Sequence, residues 1–203
     1  MGCRYFTGDF HLGFSKLLEI EKWPFKNIQD HDNFLLNQCI KLNSDDTIIH
    51  AGDFCSFGIN QGEQNLKIKS KDIIKNIDAT FINIRGNHDI NNDVKSICES
   101  MRTRLGKKFI DVSISHYPSY DKRAKGHFLD GDIHICAHVH SKWVHCLDLD
   151  HSVLNINVGC IAWNFRIISE DILIRYINML IKKRPNELYR CKNINNKLIF
   201  LNI

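Results

Sequence analysis

Five short apolar runs in this chain each end in residues that bind metal ions. They are GDFH with Asp9 and His11, AGDF with Asp53, RGNHD with Asn87 and His88, SHYP with His116, and AHVH with His138 and His140. An apolar run that stops at a polar turn reads as a buried strand, and loops leaving the same ends of neighbouring strands converge on one place. The pattern therefore demands a sheet-based fold with a shared site. Side chains two apart in extended chain point the same way, so Asp-x-His and His-x-His each aim two ligands at one point if the chain stays extended.

The donor types select a class of metal. Two Asp carboxylates, one Asn carbonyl and four His nitrogens suit manganese, iron, zinc or nickel better than an all-oxygen calcium cage. Seven ligands are too many for one tetrahedral site. Shared by two ions with one bridging carboxylate, they make a dinuclear centre with about 3.5–4 Å between metals, a clamp suited to displacement at phosphorus.

Between these blocks the chain alternates strands and helices. Strands are expected at Tyr5 to Thr7, Thr47 to His50, Thr80 to Ile84, Phe109 to Ser115, Ile133 to Cys136 and Val153 to Val158, with an edge strand over Lys197 to Ile203. Asp30 is expected to cap a helix with Phe34, Leu35, Cys39 and Leu42 on its apolar face, and a Lys-rich helix turns Ile73, Ile74 and Ile77 inward. Residues 91–104 read as helical. Ser169-Glu170-Asp171 starts a helix carrying Leu173, Tyr176, Ile177 and Leu180, and Pro185 lies beyond its end.

Composition narrows the remaining classes. The chain's 203 residues suit one domain, and 27 Lys plus Arg against 23 Asp plus Glu leave a net +4, too mild to mark a nucleic-acid or membrane binder by charge. The eight cysteines form no CxxC pair, so free, mostly buried thiols are expected rather than disulfides. No signal-peptide pattern opens the chain and no stretch approaches a membrane span, so a cytoplasmic protein is expected. Of the 11 histidines, His31, His50, His127, His134, His145 and His151 sit in no motif and read as structural or surface residues, with His127 a candidate for the substrate pocket. Asp89 reads as an N-cap or loop brace, and Tyr117 as a turn residue near the substrate.

In order and type, the five blocks resemble the signature of the calcineurin-like metallophosphoesterases: Asp-x-His, Gly-Asp, Gly-Asn-His-Asp or Glu, His, and Gly-His-x-His. The likeness is nearest to the small single-domain bacterial and phage phosphoesterases, through WPF at 23–25, DDTIIHAGDF, IRGNHD, SHYP and NVGCIAWNF. It implies a four-layer αββα fold, two mixed β-sheets packed as a sandwich with flanking helices. One domain over 1–203 is expected, with a motif-bearing core at about 4–172 and a C-terminal extension at 173–203.

Carried over by position, the resemblance implies that Asp9, His11, Asp53 and His140 hold one divalent ion. Asp53, Asn87, His116 and His138 would hold the other, with Asp53 bridging and manganese the first choice of metal. His88 would protonate the leaving group as a metal-bridging hydroxide attacks phosphorus, and Arg85 would bind phosphate oxygens. Ala137 replaces the family's usual Gly, which preserves the turn if its φ is negative. GDFCSFG lacks the Asp and Arg of Ser/Thr protein phosphatases, so a phosphodiester or nucleotide substrate is expected over a phosphoprotein. The alternatives are a nuclease or end-processing enzyme on DNA or RNA, and a non-catalytic interaction module on the same scaffold.

Overall fold

Apolar alternation along the strands sorts their side chains into two faces, and two sheets stack through one of them. The structure, a computed structural model, describes residues 2–56, 70–90, 94–107, 109–126, 128–194 and 197–201. In the first sheet β1 (Arg4–Thr7), β2 (Thr47–His50) and β3 (Thr80–Asn83) run parallel, and β9 (Ile168–Ser169) pairs antiparallel with β1. The second sheet contains β4 (Ser100–Leu105), β5 (Ile110–Ser115), β6 (Ile133–Cys136), β7 (His145–Asp148), β8 (Val153–Asn157), β10 (Arg190–Ile194) and β11 (Lys197–Leu201). Its order is β11-β10-β7-β8-β6-β5-β4, with β5, β6 and β8 parallel.

The interface between the sheets is apolar. Phe6, Ile49 and Ile84 from the first sheet and its flank cluster with Val112, Ile114, Ile135, Leu154 and Ile156 from the second. Removing each such side chain from water contributes about 1.5–3 kcal/mol. Helix α4 (Glu170–Leu180) adds Leu173, Ile177 and Leu180 to this core, and Ser169 caps it by accepting from Ile172 N–H. The other face of the first sheet presents Ile48 and Phe81 to α1 (Ser15–Ile20), α2 (Ile28–Ile40) and α3 (Ser70–Ile74), through Leu17, Leu35, Cys39 and Ile73. The expected architecture, two mixed sheets in a sandwich with flanking helices, is the one observed.

Three local expectations are corrected. Residues 94–99 are not helical and Ser100–Leu105 is a strand paired along its whole length with β5, while 91–93 lie outside the described residues. The cap of α2 is Asn27, whose side chain accepts from Asp30 N–H, because Asn27 is extended and Asp30 already lies in the first turn. Strands β7, β9 and β10, and helix α1, stand where no element was expected. The eight cysteines are free, as expected. Among the described residues no helix is long and apolar enough to cross a membrane.

Candidate metal centre

Because β1, β2 and β3 are parallel, and β5 and β6 are parallel, the turns after them lie at matching ends of the two sheets. Those turns carry Asp9 and His11, Asp53, Asn87 and His88, His116, and His138 and His140. The chain does not stay extended there. Asp9, His11, Asp53, His138 and His140 all adopt left-handed backbone, with φ of 53°, 45°, 59°, 71° and 50°. Successive tight turns, rather than strand parity, aim these side chains inward. Ala137 has no positive φ, so the turn survives the replacement of Gly.

All seven expected ligands and His88 come together. Nε2 of His11 is 3.1 Å from Nε2 of His140, and Nε2 of His116 is 2.9 Å from Oδ1 of Asn87 and 3.2 Å from Nδ1 of His138. Oδ2 of Asp53 lies at the middle, 3.3 Å from His116, 3.8 Å from His11 and 4.0 Å from His88. Three groupings place ligand atoms within 4.8 Å of one another: Asp9, His11 and His140; Asp53, His116 and His138; and His11, Asp53 and His88. His88 therefore sits within ligand range as well as at the rim, its side chain a quarter exposed.

The charges are strongly coupled. Burial pushes the Asp9 carboxyl up, against the pull of His140 and His116. Burial acts the same way on Asp53, yet His116, His11 and the His88 N–H outweigh it and hold this carboxyl below the usual range. Burial opposes charge on His116, but Asp53 and then Asp9 raise it to about 9. Burial first, then His116 and Arg123, lowers His138 to about 4.

The donor set fits divalent metal. Asp9 Oδ2 is buried with no hydrogen-bond partner among the described residues, although Oδ1 accepts from His138 N–H at 3.1 Å. Two pairs of imidazole nitrogens face each other at close range beside two buried carboxylates. A cation satisfies those lone pairs together, and the nitrogen and oxygen mix suits borderline transition metals.

Several further residues support these turns, and Glu21 among them lies in no motif. Glu21, at the end of α1, places Oε1 3.1 Å from Nδ1 of His140. Asp89 is the loop brace: it accepts from the N–H groups of Asp53, Phe54 and Gly86 and from the Asn83 amide. Asn157 donates to the carbonyls of His140 and Trp143 and accepts from Gly159 N–H. A Cβ on Gly86 would overlap Oδ1 of Asp53, so the absence of a side chain there lets the two turns close. Glycine at the first position of GNHD was the legible sign of that approach; Glu21 left none.

The other histidines serve the framework. His31 stacks on Trp23 and bonds Asp32, whose other oxygen accepts from Gly13 N–H. His50 meets Asn83, His134 meets Ser113, His145 meets Tyr176, and His151 meets Asp148. His127 lies outside the described residues. Arg85 pairs with Glu99 at 3.1 Å on the wall of a cleft of about 490 Å³ that Asn87 and Tyr117 also line.

No protein-family model matches the chain, and no curated protein does. Among solved structures, the protein of unknown function AQ665 from Aquifex aeolicus is similar with a TM-score of 0.58 and 22% identity, over 89% of this chain and 100% of that one. A predicted phosphoesterase from Streptococcus pneumoniae aligns at TM-score 0.33 and 15% identity, over 78% of this chain and 72% of its own. Yfce, a phosphoesterase from E. coli, aligns at TM-score 0.37 and 12% identity, over 77% and 79%. The likeness to AQ665 is one of fold, and it spans nearly the whole chain.

Proposed function

We propose that this chain is a metallophosphoesterase of the calcineurin-like type, hydrolysing a phosphodiester or nucleotide substrate at a dinuclear centre. One observation carries the reading: seven donors from five separated turns, with His88 beside them, gather in adjoining groups, one of Asp9, His11 and His140 and one of Asp53, Asn87, His116 and His138. Asp9, His11, Asp53 and His140 would hold one divalent ion, manganese in the first instance, and Asp53, Asn87, His116 and His138 the other. When bound, such a pair polarises phosphoryl oxygens and acidifies water.

The chain's own residues supply the rest. Oδ1 of Asp53 accepts from His88 N–H at 2.8 Å, which fixes the backbone that carries His88, and Asp53 would be the carboxylate shared by the two ions. His88 stands at the rim, its side chain a quarter exposed and its Nε2 4.0 Å from Oδ2 of Asp53, and it is the group that would deliver the proton to the leaving oxygen. Arg85 would orient phosphate oxygens from the adjoining cleft.

The test is turnover of aryl phosphate mono- and diesters by manganese-loaded protein. Activity is expected, with losses of about 10²-fold or more in His88→Ala, in the range of general acid catalysis, and near-complete loss in Asp53→Asn. A metal-loaded wild-type protein that hydrolyses neither ester class would end this reading.

A further inference from the structure

Beside the metal centre lies a cleft whose charge is out of proportion to the chain. Among the described residues, Arg85, Lys122, Arg123 and Lys125 line it with one lining carboxylate, Glu99, and with Asp121 paired to Arg123, in a protein whose entire formal charge is +4. Asn87 belongs to both the cleft and the proposed metal centre, so the two are continuous. Four cations facing one concavity attract and hold a multivalent anion.

Arg123 links the two regions and is already oriented. Its guanidinium carbon sits 4.3 Å over the Tyr117 ring, its Nε and Nη2 pair with Asp121 at 2.9 and 2.6 Å, and Nη2 is 3.0 Å from Nε2 of His138. Stacking and the two-point ion pair hold a long side chain in place, which reduces the entropy lost when it receives a ligand. With Nε and Nη2 engaged by Asp121, a phosphate oxygen would meet the remaining edge of the guanidinium.

We infer that this cleft is a second phosphate subsite, and that the substrate is a small phosphoester carrying another phosphate group besides the one at the metal centre. The inference rests on the phosphoesterase reading above and specifies its substrate. A small molecule is favoured over a nucleic-acid strand for two reasons. The cleft, at about 490 Å³, has the size of a small-ligand pocket. Tyr117, the one aromatic residue among the described residues that line it, already has a ring face covered by Arg123, which leaves successive bases without a stacking platform.

The experiment measures binding by calorimetry on manganese-loaded His88→Ala protein, so that turnover does not interfere. Adenosine 3′,5′-bisphosphate is expected to bind about tenfold or more tightly than adenosine 5′-monophosphate, a difference of about 1.4 kcal/mol. Adding Arg123→Ala and Lys125→Ala should erase that preference, whereas the charge-matched removal of exposed Lys182 and Lys192 should preserve it. Equal affinity for the two nucleotides, an unchanged preference in the cleft variant, or tighter binding of a thymidine hexanucleotide than of the bisphosphate would overturn the inference. Aryl ester turnover by the wild-type protein is a separate measurement: its absence removes the hydrolase reading, while the binding ratio decides the subsite.

Discussion

Glu21 and His140, 119 positions apart, meet with Oε1 3.1 Å from Nδ1 of the ring. A carboxylate only accepts, so this contact is made by an Nδ1–H, and the ring's Nε2 points toward His11 and the rest of the cluster. Partners of this kind fix the tautomer and raise the basicity of a metal-binding imidazole, and losing one weakens metal affinity by about 10–100-fold. Glu21→Gln is therefore expected to lower manganese affinity about tenfold in competition with a chelator, and an affinity within about twofold of wild type would show that Glu21 has no such role.

Asp89 is a structural brace for the turns that carry Asp53 and His88. Oδ2 accepts from Gly86 N–H at 2.7 Å and from Asp53 N–H and the Asn83 amide at 3.2 Å, and Oδ1 accepts from Phe54 N–H at 2.9 Å. Asp89→Asn keeps the shape but turns one acceptor into a donor, so at least one buried N–H loses its partner. A loss of about 1–3 kcal/mol in urea unfolding is expected. No measurable change would mean that the turns are held without it.

Five of the proposed ligands sit in left-handed backbone and store strain of about 1–3 kcal/mol each, sustained by the surrounding structure. Metal that binds only the folded arrangement adds stability by mass action, about 2.7 kcal/mol at one hundred times its dissociation constant. Manganese, zinc or nickel should accordingly raise Tm, with Asp53→Asn blunting the rise. Unchanged Tm with all three metals would exclude a preformed divalent site.

His134 predicts the acid limb of stability. It is buried, donates from Nε2 to the Tyr117 carbonyl and accepts at Nδ1 from Ser113, and burial lowers it to about 4. The unfolded chain binds the proton more readily, so stability is present at neutral pH and is lost as pH falls from about 6.5 toward about 4, by up to about 3 kcal/mol. His50, also lowered to about 4 and chiefly by burial, acts in the same direction. Urea unfolding across this window should give a shallower pH slope for His134→Asn than for the parent chain. Identical slopes would show that His134 does not supply this proton.

Some local structure misled because local pattern and tertiary pairing disagreed. SMRTRL, at 100–105, carries polar and charged residues that suit an exposed helix, yet it pairs throughout with β5 and its alternation leaves Leu105 in the core. Pairing with a neighbour decided the matter over intrinsic preference. At α2, Asn27 and Asp30 were both competent caps, and the extended backbone at Asn27 selected the first.

The candidate ligands could be picked out from the sequence because each block of them follows a short apolar run, a pattern of local chemistry. The relative placement of those ligands could not. Extended parity would have aimed Asp9 with His11 and His138 with His140, but the structure turns each of them through left-handed backbone, and only contacts among separate turns sustain that conformation. Glu21 and Arg123 lay beyond local reading for the same reason. Their roles come from distance in the folded chain, to His140 and His138 respectively, and an exposed Glu or Arg carries no local sign of the partner that packing will bring to it.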